Sequence, residues 1–151
     1  SEKATYNWDI MVRYEIEKQL VNGKIAIGDL PEFWNSKMQE YLGVTPPNDT
    51  KGVLQDIHWS MGAIGYFPTY TLGNLYAAQL YAAALADDPT ITAKIAKGQF
   101  TVLLDWMRSH IHVYGSKLLP EELMTQATGK EPSSEAFVDY LQSKFTKIYG
   151  L

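Results

Sequence analysis

The segment GVLQDIHWSMGAIGYFPTYTLGN, residues 52–74, gathers Gln55, Asp56, His58, Tyr66 and Tyr70, with Trp59 and Phe67 between them. Asp56 stands two positions before His58, near enough to hold the ring or fix its tautomer where the backbone is extended or turning. Tyr66 and Tyr70 are four apart around Pro68, so a helix beginning at that proline brings their hydroxyls together. Such donors suit a developing oxyanion, where one well-aimed hydrogen bond is worth about 3 kcal/mol. The glycines of the segment allow the backbone to approach a neighbour closely. On chemistry alone another reading stays open, in which these are packing aromatics around a satisfied core histidine.

Elsewhere the chain is poor in reactive sets. His110 and His112 are two apart and point to different faces of a helix, whereas a helical zinc pair needs a spacing of about one turn, as in H-E-x-x-H. They read as polar residues near a helix end, where a cation is welcome. No metal-ligand motif, serine-nucleophile motif, phosphate-binding glycine loop or dinucleotide fingerprint is present. Cysteine is absent, which removes disulfides, thiolate metal sites and a cysteine nucleophile and fits a cytoplasmic location.

The elements that must position residues 52–74 read as helices. Ile10, Tyr14, Val21 and Met11, Leu20 recur at helical spacings from about 5 to 21, before Asn22-Gly23 stops the run. Asp29-Leu-Pro-Glu32 offers a capping acid, a first-turn proline and a glutamate three residues on, predicting a helix through Phe33, Trp34, Met38, Tyr41 and Leu42. Two prolines in VTPPNDTK, residues 44–51, make a surface connection. Residues 70–86, rich in Ala and Leu, predict a long and mostly buried helix. Further helices are expected from Phe100 to about Tyr114, at about 120–128 and at about 134–149, and only 24–27 hints at a strand.

The class is all-α: one helical domain over 1–151, without repeats or low-complexity tracts. At 46% hydrophobic and 20% charged residues the chain is globular, not disordered. A net charge of −4 without a Lys/Arg run argues against nucleic acid. No apolar run reaches the ~18–20 residues of a membrane span, and the opening SEKATYNWD is not a signal peptide.

Gly52, Gln55, Asp56, His58 and Trp59 match G-x-x-Q-D-x-H-W, and the match continues through GYFPTYTLGNLYAAQ, residues 65–79. Together these strings resemble the carboxypeptidase Taq family of thermostable metallocarboxypeptidases. TYNWDIMVRYEIEKQL is similar to the segment after that family's I-R-x-x-A-D motif, and FTVLLDWMRSHIHVYGSKL to its closing region, so essentially the whole chain is covered. The family's H-E-x-x-H and further glutamate ligand stand upstream of Ser1, and Glu2 takes the place of the aspartate in I-R-x-x-A-D. The resemblance therefore implies the helical C-terminal part of a zincin-like, mostly helical metallopeptidase.

For the whole enzyme the resemblance implies removal of C-terminal amino acids from peptides, with zinc or cobalt held by residues outside this chain and none held by this chain. It implies a homodimer. It also implies that His58 donates to the bound peptide and Tyr66 to the tetrahedral oxyanion, with Tyr66 ranked above Tyr70. Tyr70 is assigned to substrate contact, Gln55 to backbone or substrate contact and Asp56 to support of His58; Trp59 and Phe67 read as core. Arg13 and Arg108 read as solvated or structural pairing residues, leaving carboxylate recognition to the arginine of I-R-x-x-A-D. This chain alone is expected to be inactive. The competing expectation is a free-standing helical binding or regulatory module without catalysis.

Overall fold

A computed structural model describes residues 2–150, and the side chains from residue 5 onward. The expectation for Ser1 and for the Glu2 side chain lies outside that description. Among the described residues the regular structure is helical, with no strand. The helices are α1 (Glu2–Val21), α2 (Leu30–Leu42), α3 (Ile57–Ser60), α4 (Thr69–Asp87), α5 (Ile91–Ile95), α6 (Thr101–His110), α7 (Pro120–Thr128) and α8 (Glu135–Tyr149). The all-α expectation holds. Residues 24–27 form no strand: the chain turns there into a 3-10 helix, Ile27–Asp29. None of the described helices is long and apolar enough to cross a membrane. The chain divides into two compact units, Ser1–Leu72 and Gly73–Leu151.

In the first unit α1 packs against α2 around Val12, Ile16, Trp34 and Val53, with Leu20, Ile25, Phe33, Met38 and Trp59 closing the core. The buried face of α1 differs from the expected one. Tyr14 and Val21 are 50% and 73% exposed, whereas Arg13 and Glu17 are buried beside Val12 and Ile16. Charged residues normally stay outside unless paired. Here both have partners on residues 56–59, so the helix turns a partly charged face inward.

At the outer edge of the same pair of helices, Lys37 bridges Glu15 (2.9 Å) and Glu40 (2.8 Å), and the Tyr41 hydroxyl donates to Glu15. The Tyr41 hydrogen bond, with Lys37, holds the Glu15 carboxyl below its ordinary range, and the same carboxylates raise the Lys37 ammonium above its own. α2 starts with Pro31 in its first turn, but Asp29 makes no side-chain cap, so the expected capping box does not form.

In the second unit Ala84, Ile91 and Trp106 form a core with Leu80, Leu85, Ile95, Val102, Leu103 and Met107. The Trp106 indole donates to Asp87 (2.7 Å), and its ring stacks on His110 with centroids 4.3 Å apart. Gln79, buried on α4, organises the turn between α7 and α8. Its amide nitrogen donates to Thr128 Oγ1 and to the carbonyls of Lys130 and Glu131, while its oxygen accepts from the Ser133 N–H (3.1 Å). α4 is less buried than its composition predicts: Leu72 is 48% exposed, and only Gln79 and Ala84 are fully covered.

Candidate functional site

Residues 44–70 build the site from its foundation outward. Gly52 sits where a side chain would crowd Pro46 Cβ (3.1 Å) and the Asn48 carbonyl (3.3 Å), so here the expected close backbone approach is real. Two 3-10 turns, Asp49–Lys51 and Val53–Gln55, carry the chain to Asp56. Gln55 turns back and donates to the Thr50 carbonyl, which makes it a brace of this loop. Asp56 then caps α3, its Oδ1 accepting the Trp59 N–H at 3.0 Å. Its Oδ2 takes the Arg13 Nε–H at 2.7 Å, and its side chain is wholly buried.

α3 is one turn long and places its two aromatic residues differently. Trp59 points into the core, edge-on to Trp34 at 5.9 Å, and donates its indole N–H to Glu17 (2.9 Å). His58 instead joins Tyr66, Phe67 and Tyr70. Between them the chain reverses through Gly62 and Gly65, with φ +74° and +78°. Nothing lies within 4 Å of where their side chains would begin, so these two glycines serve backbone conformation and not close approach. Thr69 closes the turn with its N–H (3.0 Å) and hydroxyl (2.6 Å) on the Tyr66 carbonyl, and α4 begins one residue after Pro68.

The resulting cluster is tight. The His58 ring stacks on Tyr66 at 5.8 Å and meets Phe67 edge-on at 4.8 Å and Tyr70 at 5.8 Å. Tyr66 and Tyr70 are themselves edge to face at 5.6 Å, although the helix begins only at Thr69 and Tyr66 lies in the turn before it. His58 Nε2 lies 3.3 Å from the Tyr70 hydroxyl. Burial, with Tyr66 and Tyr6 nearby, raises the Tyr70 hydroxyl above the usual phenol range. Tyr66 and Tyr70 remain 53% and 38% exposed.

Asp56 stands near His58 without bonding to it. Oδ1 is 3.9 Å from His58 Nδ1, beyond hydrogen-bond reach, and that nitrogen has no hydrogen-bond partner among the described residues. The structure thus brings together His58, Tyr66 and Tyr70, with Asp56 supporting the α3 backbone and Gln55 engaged at Thr50. Arg13, Glu17 and Phe67 belong to the same assembly, although sequence reasoning left them outside the site. The only hint was Arg13 and Glu17 at i, i+4 spacing on a helix whose neighbouring turns carry Val12 and Ile16. His110 lies in the last turn of α6 against the Trp106 carbonyl (2.9 Å), and Arg108 pairs with Asp105 on the surface. Among the described residues, no group of three or more His, Asp or Glu side chains could hold a metal ion.

The sequence profile of the Carboxypeptidase Taq (M32) metallopeptidase family matches residues 1–145. The chain belongs to that family. It is 45% identical over 150 residues to Thermostable carboxypeptidase 1 of Thermus thermophilus, covering 99% of this chain and 29% of that protein. With Carboxypeptidase 1 of Bacillus subtilis it shares 40% over 151 residues, 100% of this chain and 30% of the relative. Among solved structures, the M32 carboxypeptidase of Deinococcus radiodurans superimposes with a TM-score of 0.94 at 38% identity, over 97% of this chain and 30% of that one. The carboxypeptidase of Pyrococcus furiosus gives 0.90 at 43% identity, over 93% and 28%. This M32 chain therefore spans just under a third of the length of these relatives, and its helices are the ones such enzymes use.

Proposed function

We propose that this chain forms one wall of the active-site cleft of a metal-dependent carboxypeptidase that removes C-terminal amino acids from peptides. The observation that carries the reading is the convergence of His58, Tyr66 and Tyr70, with both tyrosines still exposed. Residues 1–151 act in it as a single helical part of a larger catalytic domain.

The metal of such an enzyme, zinc or cobalt in this reading, polarises the scissile carbonyl and activates water. Its ligands lie elsewhere in the enzyme, and this chain acts on the peptide directly. Tyr66 donates to the tetrahedral oxyanion, worth about 3 kcal/mol for a well-aimed bond. His58 donates from Nε2 to a carbonyl of the bound peptide. With Nε2 carrying the donated proton, the Tyr70 hydroxyl 3.3 Å away accepts from it and keeps it in place until substrate takes over that bond. Asp56 sets the α3 turn that carries the imidazole. The enzyme is a cytoplasmic homodimer in the same reading.

The test compares the full-length protein with this chain alone. The expected result is cleavage of peptides with a free C-terminus and not of their C-terminal amides, loss of activity to a chelator, recovery with zinc or cobalt, and no activity from residues 1–151. A full-length protein that cleaves neither peptide with either metal present contradicts the reading.

A further inference from the structure

Arg13 makes more contacts than a pairing residue needs. Its Nε–H donates to Asp56 Oδ2 (2.7 Å), while Nη1 meets Asp9 Oδ1 (2.5 Å) and the Asp9 carbonyl (3.2 Å). One aromatic ring lies 4.8 Å from the guanidinium carbon and belongs to Trp34; another, 4.5 Å away, belongs to Phe67. The guanidinium is therefore hydrogen-bonded along its edge and lies over two aromatic rings, and the side chain is almost wholly buried.

Two of these partners are the residues that orient His58. Asp56 holds the N-terminus of α3 through the Trp59 N–H (3.0 Å), and Phe67 meets the imidazole edge-on at 4.8 Å. Arg13 is thus a group on α1 that touches both residues 56–60 and residues 66–70. His58 itself makes no hydrogen bond to Asp56, the two being 3.9 Å apart, so its placement depends on the turn, on the Phe67 ring and on Tyr66 and Tyr70 beside it.

We propose that Arg13 is a positioning residue: clamped between Asp56 and Phe67, its planar guanidinium fixes both segments of the site and so sets His58 against Tyr66 and Tyr70. The functional half of this proposal rests on the proposed role of His58 and Tyr66 in peptide cleavage; the structural half does not. A lysine here keeps the charge that balances Asp56 but offers neither the fork nor the stacking plane. Displacements of about 1 Å at a reacting group cost on the order of a hundredfold in rate.

The experiment uses the full-length enzyme, as wild type, Arg13→Lys and Asp56→Asn, and measures steady-state kinetics, melting temperature and residue-resolved amide hydrogen exchange. In Arg13→Lys, kcat is expected to fall about tenfold to a hundredfold with KM within about threefold. Exchange accelerates at 57–60 and 66–70 while 120–128 keeps its wild-type rate. Wild-type kcat with wild-type exchange in Arg13→Lys overturns the proposal. So does a loss that accompanies uniformly faster exchange along the chain, the mark of general destabilisation. Should Arg13→Lys fail to fold, the same pattern in Asp56→Asn decides in its place. Should the wild-type enzyme cleave no peptide, the catalytic reading falls, and the exchange pattern alone judges the clamp.

Discussion

Glu17 and Arg13, one turn apart on α1, reach residues 56–59 from the same side: Arg13 takes Asp56, and Glu17 takes the indole of Trp59 at 2.9 Å. Replacing Glu17 by leucine leaves that indole N–H without its acceptor, at a cost of about 1–3 kcal/mol, measured by denaturant unfolding of the full-length protein. The inward turn of these two charges explains what the sequence concealed. A periodicity count treats Arg13 and Glu17 as solvent-facing and Tyr14 and Val21 as core, yet the latter pair is exposed. Only the partners, more than forty positions away in the chain, reverse that order. By contrast His58, Tyr66 and Tyr70 were legible, because their types and short spacings are local properties. For Gln55 a backbone contact was one of two readings, and the structure supplies it at the Thr50 carbonyl.

The segment that joins α3 to α4 must reverse direction to lay Tyr66 on His58, and Gly65 supplies a φ of +78° for it. Gly65→Ala is expected to cost about 1–2 kcal/mol, and Gly65→Asn less, since asparagine tolerates that region. Equal stability of wild type and Gly65→Ala in a denaturation series would show that the turn is not needed.

In the second unit Gln79 satisfies the chain between α7 and α8. Gln79→Leu removes four hydrogen bonds and is expected to destabilise by about 1–3 kcal/mol, with faster amide exchange at residue 133. At the α4–α5 corner the hydroxyl and N–H of Thr90 and the Lys94 ammonium hold the Asp88 carboxyl down to about 2 from its ordinary 3.8. A carboxyl depressed in the folded state stabilises above its unfolded value and loses that contribution as pH falls through its folded value. Stability is therefore expected to drop between about pH 4 and pH 2, and Asp88→Asn to flatten that part of the acid titration. The extents of α4, α7 and α8 were readable from composition, proline and glycine. The missing cap at Asp29 was not, since a capping sequence does not fix a side-chain rotamer.

Across the whole chain, Ile27, Leu54, Met61, Tyr66, Phe100 and Leu119 are among the large apolar side chains left exposed. Residues 1–151 prepared alone are expected to self-associate and to bind a hydrophobic dye, as read by sedimentation and fluorescence. A clean monomer without dye binding would count against that. The long shared strings, from the G-x-x-Q-D-x-H-W match onward, made the family legible before any coordinate. A chain matching just under a third of each relative's length did not disclose in the same way which of its groups would line the proposed peptide cleft. That question turns on Tyr66, and the most direct measurement is kcat of the full-length enzyme as wild type, Tyr66→Phe and Tyr70→Phe on a peptide with a free C-terminus. Loss of about a hundredfold or more in kcat for Tyr66→Phe, with a smaller loss for Tyr70→Phe, is the expected result; wild-type kcat in Tyr66→Phe would contradict the account and leave these rings as packing.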